Sequence, residues 1–152
     1  MIKRLLFFSL ILAGIFLSTF IRANDAEVLF EKAQLLYDSK NYSLALPLFE
    51  EATILAPLQS SYHHMLGKCY GRLAEEGGWL TALRNVSKTL REFKIAVELD
   101  QKNVQALQDL EEFYRRAPGF LGGSKAKANE IEKKLSTLQI DRNVDNLAPS
   151  AE

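Results

Sequence analysis

The sequence predicts an all-α chain built from about three helical hairpins laid side by side, and three observations predict it. Apolar residues recur at three- and four-residue steps, the spacing of one helix face. Short polar or Gly/Pro clusters break these runs into pieces of helix length. The pieces also repeat: Leu29, Ala33 and Leu36 are matched 34 residues later by His63, Gly67 and Tyr70. Ala45, Phe49, Ala52 and Pro57 are matched 44 residues later by Thr89, Phe93, Ala96 and Gln101, and the same step carries His63, Leu66 and Tyr70 onto Leu107, Leu110 and Tyr114. The period is therefore 34 residues with ten extra inserted once, between Tyr70 and Thr89. A fixed period of this size marks units that cannot hide their own apolar faces and must stack to do so.

Residues 1–23 stand apart from the repeat. Lys3 and Arg4 open the chain, 5–21 is apolar except for Ser9, Gly14, Ser18 and Thr19, and Ala23 precedes the first acid, Asp25. A basic start, an apolar middle and a small residue at the end describe an export signal cleaved after Ala23. The apolar stretch is also long enough to remain as a membrane anchor, and a buried helix is the third reading. In the first two, the folded part lies outside the cytoplasm, periplasmic or secreted, with the positive charges left inside.

The first hairpin follows from Leu29, Ala33 and Leu36, then Ala45, Leu48, Phe49 and Ala52, with 38–41 as the break. Asn24 and Glu27 have capping-box spacing, and Ser60 and Asn103 are expected to cap later helices. Pro57 ends the hairpin; Pro47 falls early in the second helix, where few amide bonds are lost. In the second hairpin the ten extra residues lie around Glu75-Glu76-Gly77-Gly78-Trp79. Leu80, Leu83, Val86, Leu90, Phe93 and Val97 keep helical spacing beyond them, so the insertion should lengthen that helix by about three turns. The third hairpin begins with a helix over 103–116 and passes through a loop, 117–124. It ends on a helix carrying Ala128, Ile131, Leu135 and Leu138 on one face, with Ser124 as its cap. Residues 24–140 are read as the helical repeat domain and 141–152 as a disordered polar tail.

The residues Leu66-Gly67-x-x-Tyr70 and Ala45-x-x-x-Phe49, closed by Pro57, resemble the tetratricopeptide-repeat (TPR) signature. The resemblance covers roughly 26–138, and departs from the pattern at His63, Thr89 and Gln101. It implies a right-handed α-α superhelix in which Gly67, Ala52 and Ala96 are small so that helices pack closely. It also implies a docking surface on the inner curve, lined by the first helix of each hairpin. Carried onto matching positions, the partner-binding candidates are Phe30, Gln34 and Tyr37, then His64, Lys68 and Arg72, then Gln108, Glu112 and Arg115. The implied partner is a protein or peptide, an extended segment or a helix.

The two glycine loops, 77–78 and 122–123, join equivalent helices, which places Trp79 near Phe120 and Leu121 on one edge. Either the 117–123 loop buries the lengthened helix, or the three residues form an apolar edge cleft, or Gly122-Gly123-Ser124 holds an anion.

Composition removes other classes. Residues 24–152 carry 16 basic and 19 acidic residues, which gives no electrostatic reason to expect nucleic acid. The single cysteine, Cys69, forbids an internal disulfide and is expected to be buried and inert. His63 and His64 diverge by about 100° on a helix, so they are not a metal pair, and His63 is expected in the core. Glu75-Glu76 and Glu111-Glu112 diverge likewise and read as solvated faces. No catalytic, metal, dinucleotide or phosphate motif is present, and no cofactor is expected. Two Asn-x-Ser triplets, at Asn41 and Asn85, are glycosylation acceptors only on a eukaryotic secretory route. The reading is a non-catalytic interaction scaffold touching a membrane only through its N-terminal segment. The alternative is a self-associating structural component of a cell-envelope assembly, because three hairpins are about the minimum for a stable array.

Overall fold

A computed structural model of the chain describes the backbone of residues 24–147 and the side chains of 24–140; the segment 1–23, with its signal or anchor reading, lies outside the described residues. All regular structure among the described residues is helical: α1 (24–38), α2 (Tyr42–Leu55), α3 (Ser60–Glu76), α4 (Trp79–Leu99), α5 (Val104–Arg116), a 3-10 turn (Gly119–Leu121) and α6 (Lys125–Leu147). The all-α series of hairpins read from the sequence is the fold found. The chain divides into two compact units, Met1–Leu58 and Gln59–Glu152.

In the first unit α1 and α2 run antiparallel. Phe30 meets Phe49 edge-on at 5.6 Å between ring centroids, and Tyr37 meets Tyr42 at 5.0 Å. Ala26, Ala33, Ala45 and Ala52 are fully buried, small residues that let the two backbones close on Phe49. A Schellman turn ends α1: the Asn41 amide donates to Leu36 and the Lys40 amide to Tyr37, with Lys40 left-handed at φ 62°. Pro47 sits deeper than expected, beyond the first turn of α2, so the Ser43 carbonyl lacks its helical donor. Ser43 is exposed, and water can serve in its place.

In the second unit Gly67 brings α3 against α4. A Cβ at Gly67 would lie 2.6 Å from Phe93 Cδ1, so only hydrogen fits there. Phe93 joins Leu110, Tyr114 and Ala128 in a buried cluster that unites α4, α5 and α6, with Leu90, Val97, Phe113 and Ile131 around it. The insertion lengthens α4 to 21 residues against 14 in α2, about two turns and not three. The loop before α6 needs both its glycines: Gly122 is left-handed at φ 99°, and a Cβ at Gly123 would collide with the Ala117 carbonyl oxygen at 1.7 Å. α6 continues to Leu147, beyond the position 140 at which the sequence reading ended the domain.

Of the expected caps, Asn103 is one: its side chain accepts from the Ala106 amide at 3.0 Å. Ser124 accepts from Lys127 at a long 3.4 Å. Ser60 is not a cap but the first residue of α3. Its hydroxyl donates to the Ala96 carbonyl at 2.8 Å and accepts from Asn103 Nδ2 at 2.9 Å, tying the start of α3 to the end of α4 and the start of α5. Asn103→Ala removes both the cap and this tie, and should lower unfolding free energy by about 1–2 kcal/mol in urea titrations. Asn103→Asp, which keeps the cap but loses the amide donor, should fall between.

Candidate functional site

The predicted partner-binding residues divide between the two units. In the first, Phe30 and Tyr37 are half-buried and spend their rings on Phe49 and Tyr42, with Tyr37 6.3 Å from Phe49 as well as in contact with Tyr42. They are packing residues of the hairpin before they are anything else, and their removal would unsettle α1 on α2. Gln34 is half-buried beside them.

In the second unit His64 is not on the open surface. It is 4% exposed, and its Nε2 lies 2.7 Å from Asp109 Oδ2 on α5. Its neighbour His63 turns the other way, as adjacent helix residues must, and places Nδ1 2.8 Å from Glu92 Oε2 on α4. The two histidines thus bind α3 to both flanking helices. Glu92 is itself 4% exposed, and its second oxygen accepts from Arg91 at 2.7 and 2.9 Å. Burial disfavours its carboxylate, but the hydrogen bonds from His63 and Arg91 outweigh that, and its pKa is held below the ordinary carboxylate value.

Above this buried layer, Arg72 on α3 and Gln108, Glu112 and Arg115 on α5 are exposed, and Lys68 is half-buried. The charges are tethered on their own helices or to α6. Arg72 pairs with Glu75 at 2.8 Å, Arg116 with Glu112 at 2.6 Å, and Arg115 with Glu111 on α5 and Glu132 on α6. The result is a polar face of both signs whose side chains are oriented but still open to water. Such a face can read alternating charge on a peptide at low desolvation cost.

The edge cleft does not form as expected. Gly122 seats the 117–123 loop on Leu90, about 16 Å along α4 from Trp79 by helix rise. Trp79, Leu80 and Leu83 remain exposed, and so does Phe120, while Leu121 is half-buried. Neither burial of the α4 tip by the loop nor a shared Trp79–Phe120–Leu121 pocket is the arrangement found. Cys69 is fully buried, and no cluster of three metal-binding side chains occurs among the described residues. Asn85 is 5% exposed, so of the two sequons only Asn41 is accessible in the folded chain.

Sequence reasoning missed Glu92 and Asp109. The signal for Glu92 was present, because Asn85, Thr89, Glu92 and Ala96 step by four, three and four residues and are all buried. The adjacent stripe of larger apolar residues, Leu83, Val86, Leu90, Phe93 and Val97, carries the stronger periodic signal.

The comparisons agree with this architecture. No protein-family model and no curated protein sequence matches the chain. Among solved structures it is similar to an ArsTM double mutant of MamA RS-1, with TM-score 0.65 and 22% identity over 80% of this chain and 60% of that one. A MamA point mutant matches with TM-score 0.56 and 17% identity over 82% of this chain and 85% of that one. The chain thus spans under two thirds of the length of the first of these. At such identities the likeness concerns the fold, which is TPR-like.

Proposed function

We propose that the chain is a non-catalytic protein-interaction scaffold whose working surface, within the second unit, is the polar face of α3 and α5. One observation carries the reading. Lys68, Arg72, Gln108, Glu112 and Arg115, which the TPR resemblance assigns to a docking face, are exposed or half-buried here, while the layer beneath them is locked by His63–Glu92 and His64–Asp109. A rigid base under adaptable polar side chains suits recognition of a peptide or helix carrying charges of both signs. Residues 1–23 fit a role outside the cytoplasm, either exported or held at the membrane by 5–21.

The test is affinity capture from the native extract on the full chain, repeated with Arg72→Ala/Glu112→Ala. Both side chains are exposed and their ion pairs lie at the surface, so stability should change by less than about 1 kcal/mol. Affinity for the captured protein should fall at least tenfold, with helicity unchanged. Retention of the same proteins at the same affinity by the variant would place the docking face elsewhere. For location, a C-terminal tag followed through cell fractionation should leave the cytoplasm; a chain that stays there contradicts the export reading.

A further inference from the structure

At 1.5 Å per residue the 21 residues of α4 span about 31 Å, while the 13 of α5 span about 20 Å. α5 follows α4 through a short turn and folds back along it, so it covers the C-terminal part of α4. Leu90, Phe93 and Val97 accordingly belong to the shared cluster. The first two turns of α4 overhang. There Trp79 is 73% exposed, Leu80 64% and Leu83 45%, the uncovered end of an apolar stripe whose other end is core.

The overhang leads into a basic stretch. Arg84, Lys88, Arg91 and Lys94 follow one another at helical steps, and the one acid between Trp79 and Val97 is Glu92, which is buried and already paired. Arg91 is partly neutralised by Glu92, and Lys88 rests on the Tyr70 ring at 4.6 Å. Arg84 and Lys94 are exposed and hold no ion pair among the described residues. Glu75 is engaged by Arg72, and the opposing charges that remain near the stretch are Glu76, the last residue of α3, and Glu98, one turn beyond Lys94 on α4. This local surplus of positive charge sits on a chain whose residues 24–152 are net acidic.

We propose that the overhang docks on an anionic phospholipid surface. Trp79, Leu80 and Leu83 enter the boundary between headgroups and acyl chains, Arg84 beside them holds lipid phosphate, and Lys94, about 22 Å further along α4 than Trp79, adds to the attraction at longer range. A tryptophan with two leucines at the tip of a helix, followed by exposed cations, is the composition of an interfacial helix. The charge pattern disfavours a second copy as occupant, since a two-fold contact centred on the tip would bring two copies of the same basic stretch to one interface. A bilayer accepts a convex tip without needing a complementary groove. This contact is separate from the α3–α5 face and additional to any made by the apolar segment 5–21.

Trp79 is the only tryptophan, so its emission reports the tip alone. The full chain is mixed with vesicles of phosphatidylcholine or of equal parts phosphatidylcholine and phosphatidylglycerol. Segment 5–21 could bring the chain to either vesicle, and therefore the readout is the Trp79 emission, not co-sedimentation. A blue shift, with quenching by brominated acyl chains, is expected on the anionic vesicles and not on the neutral ones. Arg84→Gln/Lys94→Gln should weaken the lipid titration by about five- to thirty-fold, as loss of one charge at an anionic surface and a second further from it predicts. Equal emission on both vesicles, or no shift on anionic vesicles at low salt, overturns the proposal. So does a blue shift that grows with protein concentration in the absence of lipid, which would identify a second copy as the occupant. The wild-type comparison decides the matter even if the double variant folds poorly.

Discussion

Glu92→Ala should lower the unfolding free energy by about 3 kcal/mol, more than any surface substitution in the chain. The alanine leaves His63 without its carboxylate partner in a site where both are almost fully buried, and removing one member of such a pair typically costs about 3–5 kcal/mol. The low end applies because Arg91, the third member, is 61% exposed on its side chain and can turn to water. Urea unfolding followed by helical circular dichroism gives the value. Glu92→Gln, which keeps a hydrogen-bond acceptor but not the charge, should lose roughly half as much. A loss below about 1 kcal/mol for Glu92→Ala would show that the pair behaves as an exposed one.

The same group sets a pH dependence. Its folded pKa lies below the ordinary carboxylate value of 4.5, so the unfolded chain takes up the proton first as pH falls. The stabilisation is complete above 4.5, declines below it and is lost as pH passes through the lowered folded value. The Glu92→Gln chain lacks this component. The difference in stability between wild type and variant should therefore narrow on acidification from neutral pH to below that window. A difference that stays constant through it would mean that the Glu92 charge contributes nothing to stability.

Gly67→Val should destabilise the second unit by about 2–3 kcal/mol. The new Cβ would stand 2.6 and 2.8 Å from two atoms of the Phe93 ring and 3.3 Å from Glu92 Cβ. Phe93 cannot yield easily, because Leu110, Tyr114 and Ala128 hold it from the other side. Overfilling a packed site costs about 1–3 kcal/mol, and a β-branched residue recovers little of the helix preference that glycine forgoes. Gly71 offers the contrast one turn further along α3. A Cβ there would meet Thr89 at 3.7 Å, an ordinary contact, so Gly71→Ala should stabilise by about 0.5–1 kcal/mol through helix propensity. Opposite signs at two glycines of one helix would locate the close approach at Gly67; equal signs would mean that α3 and α4 lie further apart than described.

The hairpin order was legible because inward positions repeat. Ala33, Ala45, Phe49 and Ala52 in the first hairpin, and Leu66, Tyr70, Phe93 and Ala96 in the second, are buried where the period placed them. The outward residues were less legible. Phe30 and Tyr37 occupy docking positions by the TPR resemblance, yet their rings lie against Phe49 and Tyr42. Helical spacing defines the direction in which a side chain leaves the backbone; it does not say how far a large ring folds back onto its neighbour. His64 failed as a surface candidate for a related reason: Asp109, 45 residues away, comes within 2.7 Å and draws the imidazole inward.

What the sequence by itself determined is the repeating unit: the order of the helices and the breaks between them follow from the period and from turn residues, which are local, and the TPR resemblance added the small residue at Gly67. Only the tertiary structure decided which polar groups meet across helices. His63 with Glu92, Ser60 with both Ala96 and Asn103, and the bare tip at Trp79 all depend on how far one helix slides along the next and where its neighbour ends. Those offsets are settled when several packed surfaces fit together at once, and no periodicity within one helix encodes them.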